Sequence, residues 1–513
     1  MTMTNENSTT ENSLTAKVLN ISTGSRNFVF LSRSSPIVIK EGFEVMSRLE
    51  LTSRGKSVYS TLYFSDDMAD GKVIGIARET AKKLGIRSGS KVTVKHMEPL
   101  KSFSVVRDKL RGKPFTREGI LEVIGDVVAG RYTDMHMACL CSATEGEQLS
   151  EEEIEYFARA MVETGKTLKW DYDIVVDKHC IGGIPGNRTT PPAIAIIAEY
   201  GLHIPKTSSR AITSPAGTAD VMEVFTNIVV STEEIKRIVA ETNGCLVWGG
   251  AVDLNPSDDI IINVKKQLGF DSRGQMLASI ISKKVAAGST HILIDVPYGQ
   301  SAKTKTLQSA KSLKRDFEEL GNRLGVNVLV NISDGSQPVG NGIGPALEAK
   351  DIVALLKNEE GAPHDLREKV LYLAGLVIEF DPKVEKGKGQ AIAEEILNSG
   401  KAWERFKKIC EAQGNGKMKE IPEAKITYDV ISPKSGVVES FDNKKLAQVA
   451  RFAGCPSQWA AGIYLRKHIG DKVKAGEALY TIHSNSAGEM EMAKKMAEDG
   501  DIIAIRESFS TIV

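Results

Sequence analysis

Apolar and polar positions change period three times along the chain. From Leu14 to about Glu98 they tend to alternate with period two, in β-rich runs such as Ser57–Phe64. One short helix at Ile76–Leu84 precedes a strand at Lys91–Lys95. Residues 14–100 therefore predict a small, mostly β module in which no chemistry is evident, and a role in assembly follows. From Ser104 to Trp170 the period is helical. Thr116 caps a helix through Ile120, Val123, Ile124 and Val127 that stops at Gly130. Ser150 followed by Glu153 is a capping box opening the helix Ile154–Gly165.

From Asp173 onward strands and helices alternate. Strands are predicted at Ile174–Val176, Ile228–Val230, Cys245–Trp248, His291–Asp295 and Asn327–Asn331. Helices are predicted at Pro191–Tyr200, Ala219–Phe225, Pro256–Leu268, Ser272–Ala287 and Thr304–Leu324. Such repetition builds an α/β sheet whose functional loops lie at strand C-termini. Helices continue to about Gln413, and the polar segment Gly414–Glu423 reads as a linker. The tail, residues 424–513, is α+β. Its Gly436-Val-Val and Gly470-Asp-Lys-Val segments resemble half of a biotinyl/lipoyl-type hammerhead. No exposed carrier lysine stands where that chemistry needs one, so the module reads as structural. The fold class is thus multidomain α/β.

Charge modifies this picture little, because 66 basic and 66 acidic residues balance. The balance removes a global electrostatic case for nucleic acid or an anionic membrane. The first 13 residues are polar, without a signal-peptide core, and predict a disordered tail. No apolar run reaches the roughly 18 residues of a membrane helix. The six cysteines are scattered, which argues against a disulfide framework and for a reducing, cytoplasmic setting. His136, Cys139 and Cys141 invite a metal reading. Positions i and i+2 of a helix face apart, however, and core packing is preferred; no metal site is assigned.

Chemistry concentrates in Asp177–Thr190, Asp-Lys-His-Cys-Ile-Gly-Gly-Ile-Pro-Gly-Asn-Arg-Thr-Thr. The stretch reads as strand, glycine-rich loop and helix, with Gly182, Gly183 and Gly186 letting backbone N–H groups converge. Lys178, His179 and Arg188 add cationic or hydrogen-bonding side chains, so an anion is the natural occupant. The loop is neither a Walker A nor a Gly-x-Gly-x-x-Gly sequence. A second loop, Ser208–Asp220, brings five hydroxyls, Arg210 and Gly217. Two such loops after successive strands can hold one or two phosphates without a metal. Phosphorolysis of a glycosidic bond fits: phosphate is the nucleophile beneath the anomeric carbon, and a proton reaches the departing base.

At these residues the chain resembles the thymidine phosphorylase family. Lys178-His179-x-x-Gly182-Gly183 is similar to that family's Lys-His-Ser-Thr-Gly-Gly loop, and Ser208–Asp220 loosely matches its Ser-Gly-Arg…Thr-Gly-Gly-Thr-x-Asp segment. Ser279-Ile-Ile-Ser-Lys-Lys284 matches its Ser-Ile-x-Ser-Lys-Lys helix, and Gly470–Gly476 fits its C-terminal domain. Two departures stand out: Cys180 replaces the family serine, and the base-binding arginine has no clear counterpart before Asp271. With the extra N-terminal module, these bring the chain closer to the AMP (nucleoside 5′-monophosphate) phosphorylase branch.

The resemblance implies a pentosyltransferase that uses inorganic phosphate as co-substrate, with no cofactor, and assembles as a homodimer or larger homo-oligomer. It implies a discontinuous helical domain, residues 104–170 plus 253–287, that closes on an α/β domain, residues 171–252 plus 288–413. It assigns catalysis to Asp271 as proton donor, with Lys178 and His179. Substrate and phosphate fall to Gly182, Gly183, Ser209, Arg210, Ala211, Ile212, Thr213, Ser214, Thr218, Ser279, Lys283 and Lys303. Simpler roles compete at two of these: Asp271 as a helix N-cap and Lys303 as a solvated lysine. Two rivals to the whole reading remain. One is a magnesium-dependent phosphoribosyltransferase of the anthranilate type using Asp258-Asp259; the other is a non-catalytic nucleotide-binding protein, a reading that Cys180 sustains.

Overall fold

The structure, a computed structural model, describes residues 12–24, 26–211, 214–498 and 502–507. It forms two compact units: the chain through Gln148 with Ile260–Asp271, and Leu149–Asp259 with Ser272 onward.

In the first unit six strands close a barrel. They are β1 (Ser13–Leu19), β2 (Phe28–Leu31), β3 (Arg48–Ser53), β4 (Lys56–Phe64), β5 (Val73–Ala77) and β6 (Lys91–His96), in the order β1-β5-β2-β4-β3-β6. Closure leaves no unpaired sheet edge. Alternate residues such as Leu49, Leu51, Ile74, Ile76, Val92 and Val94 fill the interior, as period two requires. Helices α1 (Pro36–Glu41) and α2 (Arg78–Leu84) pack on it. The helix expected from Ile76 begins two residues later, because Ile76 and Ala77 belong to β5, where they pair with Val18 and Leu19. Of the expected tail, residues 1–11 lie outside the described residues, whereas Ser13 already pairs with Thr93 in β1.

Helices α3 (Phe103–Leu110), α4 (Arg117–Val128) and α5 (Asp134–Ala143) follow in this unit. Thr116 caps α4 by accepting from the Gly119 N–H at 3.1 Å. His136 serves a local structural role. Its Nδ1 lies 3.3 Å from the Thr133 N–H, closing a capping box at the start of α5. The Arg48 guanidinium donates to the Gly130 carbonyl at 2.6 Å, and Arg131 donates to the Glu98 carbonyl at 3.1 Å, fastening barrel to helices.

The second unit runs α6 (Glu151–Glu163), β7 (Val176–Cys180), α7 (Thr190–Tyr200), β8 (Ile204–Ser208), α8 (Thr218–Phe225), α9 (Thr232–Thr242), β9 (Gly244–Trp248), α10 (Pro256–Leu268, whose C-terminal part belongs to the first unit) and α11 (Arg273–Ala286). It continues β10 (His291–Tyr298), α12 (Leu307–Leu324), β11 (Asn327–Asp334), β12 (Gly342–Ile343), α13 (Pro345–Leu356), α14 (His364–Ile378), α15 (Gly389–Asn398) and α16 (Lys401–Gln413). Strands β11-β10-β7 and β8-β9 are each parallel, and a Val175–His203 bridge joins them in the order β11-β10-β7-β8-β9. The core lies between the sheet and α7, whose residues Thr190 to Ala198 are all buried. The strand expected at Ile228–Val230 does not form. That segment stays outside the ladders, although the Ile228 carbonyl accepts from the Trp248 N–H.

After the linker, β13 (Ile426–Ile431), β14 (Gly436–Phe441), α17 (Asn443–Phe452), β15 (Gly462–Leu465), β16 (Lys472–Val473), β17 (Ala478–Ser484), α18 (Ala487–Glu498) and β18 (Ile503–Arg506) form two small sheets, β12-β15-β17-β13 and β16-β14-β18. This module braces the α/β loops. Asn443 donates to the Gly335 carbonyl at 3.2 Å, and Gln337 Oε1 accepts from the Ile469 N–H at 2.8 Å. Among the described residues, no helix is long and apolar enough to cross a membrane.

Candidate active site

Lys178, His179 and Cys180 belong to strand β7, not to the loop after it, because residues 176–180 pair in parallel with His291–Asp295 of β10. Strand geometry then sends neighbours to opposite faces. Asp177 and His179 share one face with Lys206 and Lys284; Lys178 and Cys180 share the other with Asp295 and Lys369.

On the second face, the fully buried Lys178 ammonium donates to Thr189 Oγ1 at 2.5 Å and Thr190 Oγ1 at 3.1 Å. The reading from sequence did not single out these two hydroxyls, although Thr-Thr immediately before Pro191-Pro192 marks the start of a helix. Burial lowers the Lys178 pKa and raises that of the Cys180 thiol. Burial also opposes ionisation of Asp295, yet Lys369, 3.2 Å away, and Lys178 hold its carboxyl below the usual range. By formal charge, two lysines against one carboxylate leave this buried floor one positive charge in excess, beside the glycine loop. The arrangement suits an anion.

On the opposite face, Asp177 is clamped between Lys206 at 3.1 Å and Lys284 at 3.0 Å. Burial, and then the surrounding lysines 284, 206 and 283, push His179 far below the usual histidine range. His179 is therefore neutral at pH 7, which leaves it the hydrogen-bonding role and not the cationic one of the two that the sequence left open.

The loops 181–189 and 209–217 follow the adjacent strands β7 and β8, as their order implied. Gly182 and Gly183 both have positive φ, +83° and +95°. A Cβ on Gly183 would lie 2.4 Å from the Lys303 amide nitrogen, so the exposed Lys303 stands beside the glycine loop. At Gly182 a Cβ meets nothing within 4 Å. Gly183→Ala is accordingly expected to combine backbone strain of about 1–3 kcal/mol with a steric clash, whereas Gly182→Ala carries the strain alone. Thermal unfolding midpoints of the two variants should separate, with Gly183→Ala lower; coincident midpoints would contradict the close approach.

Both arginines assigned to anion recognition are engaged within the protein. Arg188 pairs with Glu348 at 2.6 Å and donates to Thr218 Oγ1 and the Ala216 carbonyl. Arg210 grips Glu223 at 2.6 and 2.8 Å and lies over the Trp248 ring. Asp220 accepts the Ala211 and Gly217 N–H groups, Ser214 donates to the Ala216 carbonyl, and Ser209 is exposed. Carboxylates of α8 thus hold Arg210, Ala211 and Gly217. Ile212 and Thr213 lie outside the described residues.

Ser279 is half-buried on α11, one turn before Lys283, which pairs with the buried Asp258. That pair occupies the carboxylate that a magnesium-dependent rival would need. Asp271 belongs to the first unit, is exposed, and donates its N–H to Glu145 at 3.1 Å. It is not the helix cap. Ser272 holds that position and accepts from the Gln275 N–H, leaving the Asp271 carboxylate out of the capping role.

A five-stranded parallel sheet with an anion floor and a helical segment before it defines a class, and comparison with known proteins agrees. Residues 172–403 match the a/b domain of a glycosyl transferase family, residues 104–165 its helical bundle domain, and residues 437–503 the pyrimidine nucleoside phosphorylase C-terminal domain. A protein named "Putative thymidine phosphorylase" from Legionella pneumophila (strain Paris) is 43% identical over 501 residues, 97% of this chain and 96% of its own. "Putative thymidine phosphorylase 2" of Acidovorax sp. (strain JS42) is 43% identical over 94% of each chain. Among solved structures, the anthranilate phosphoribosyltransferase of Thermus thermophilus matches with a TM-score of 0.51 at 21% identity, covering 60% of this chain and 99% of that one. This last likeness concerns the fold alone. The chain belongs to the thymidine phosphorylase family of pentosyltransferases.

Proposed function

We propose that this enzyme catalyses phosphorolysis of the N-glycosidic bond of a nucleoside or a nucleoside 5′-monophosphate, releasing the base and a pentose 1-phosphate or 1,5-bisphosphate. The observation that carries this reading is the Lys178–Thr189–Thr190 cluster, on a floor with one excess positive charge beneath the glycine loop. It offers inorganic phosphate charge and donors without requiring a metal. Asp271 is assigned as proton donor to the departing base.

Lys303 favours the monophosphate. It is an exposed cation beside Gly183, separate from the buried Lys178, and so supplies a second place for a phosphate group. The test is a panel of thymidine, uridine, AMP, CMP and UMP, each with phosphate, reading released base by chromatography. Activity on a monophosphate, with Lys303→Ala raising its KM about tenfold or more while leaving turnover of the matching nucleoside little changed, supports the assignment. Activity on thymidine alone rejects the monophosphate, and no base release from any of the five rejects phosphorolysis of these substrates.

A further inference from the structure

Arg188 lies where three loops of the second unit cross. Its Nε donates to Glu348 Oε2 at 2.6 Å, one terminal nitrogen to Thr218 Oγ1 at 2.8 Å and the other to the Ala216 carbonyl at 3.0 Å. Glu348, buried at the start of α13, also accepts from the Gly344 N–H at 3.0 Å. One guanidinium thus joins the glycine loop after β7, the hydroxyl-rich loop after β8 and the glycine turn before α13. Next to it, the Asn187 N–H donates to the Val339 carbonyl at 2.7 Å, a second tie between the first and third of these loops. The Arg188–Glu348 pair is internally neutral and uses the side chain's fork on acceptors of the protein itself. Each of the three guanidinium nitrogens has an acceptor within the protein.

We propose that Arg188 is a positioning residue, a three-way clamp that sets the spacing between the phosphate loop and the 209–217 loop through Glu348, Thr218 and Ala216. The physical case rests on shape. A planar guanidinium can reach three acceptors in fixed directions, whereas a lysine ammonium at the end of a flexible stem is a point charge. Removing one member of a buried pair also leaves the other carboxylate unpaired. Loop spacing matters because a displacement of about 1 Å at a reacting centre costs about 100-fold in rate.

The inference rests on the proposed phosphorolysis for its kinetic readout, so a second readout, stabilisation of the folded protein by inorganic phosphate, is followed in parallel. Four variants are compared in the full-length protein: Arg188→Lys, Arg188→Ala, Glu348→Gln and the Arg188→Ala/Glu348→Gln double variant. A clamp predicts that Arg188→Lys, despite keeping the charge, loses at least tenfold in kcat/KM and loses most of the phosphate-induced rise in unfolding temperature. It predicts that the double variant is no worse than Arg188→Ala, because the two residues act as one unit. It also predicts that added guanidinium ion at non-denaturing concentration restores part of the Arg188→Ala activity.

Wild-type behaviour in Arg188→Lys overturns the clamp. So does a rise confined to the phosphate KM in Arg188→Ala with Glu348→Gln silent, which would make Arg188 a direct anion ligand. Where Arg188→Ala fails to fold, Arg188→Lys and Glu348→Gln carry the test. Should the wild type release no base, the function proposed above fails, while the phosphate-stabilisation series still decides the clamp.

Discussion

Lys178→Ala is expected to lower turnover by about 10²–10³-fold while the protein remains folded, the loss typical of removing one fixed donor from a developing or incoming charge. The ammonium is fully buried and held between two hydroxyls at 2.5 and 3.1 Å, so its position costs no reorganisation when phosphate arrives. Without it, Lys369 and Asp295 neutralise one another, and the excess positive charge of the floor disappears. The fold should persist because Asp295 retains Lys369 and the Asn331 amide at 2.9 Å as partners. Lys178→Met, which keeps most of the volume, separates lost charge from a cavity. Steady-state kinetics varying phosphate, alongside circular dichroism, make the measurement. Near-normal phosphorolysis in either variant would sink the assignment.

Asp271→Asn is expected to cost about 10²–10⁴-fold in kcat, the usual yield of a positioned general acid. The prediction is sharpened by Ser272 holding the cap of α11, since the ordinary structural reason for an aspartate before a helix falls to its neighbour. A folded Asp271→Asn protein with a near-normal unfolding temperature is therefore expected. The diagnostic comparison uses the leaving group. An N-glycoside whose base departs readily without protonation should be cleaved by the variant at a rate much closer to wild type than the natural nucleoside is. Equal losses on both substrates would assign Asp271 a role other than proton donation.

Local signals were legible where they reside in a few neighbouring residues. The capping box at Ser150, the Thr116 cap and the alternation of the barrel strands all form as their sequences indicate. The extent of β7 was not legible, because Lys178 and His179 are poor strand residues individually. Pairing with β10 on one side, and a bridge from Val175 to His203 at its other edge, carries the strand through them. The partners of the arginines were not legible for a related reason. Arg188 and Arg210 looked like anion ligands beside glycines and hydroxyls, but their carboxylate partners are 160 and 13 residues away in sequence.

Asp177–Thr190 by itself determined that a glycine-rich turn would join strand to helix, since glycines at 182 and 183 permit the positive φ that the turn adopts. With Ser208–Asp220 and the Ser-Lys-Lys helix, it also determined the family. Only the tertiary structure decided which charges face the loop. Period two sorts Lys178 and His179 onto opposite faces, and non-local partners then fix their fates. Asp295 and Lys369 leave Lys178 on a floor of excess positive charge, while burial, reinforced by the surrounding lysines, keeps the His179 ring neutral. Charge in a buried site depends on what burial brings near, and that information is spread over residues from 177 to 369.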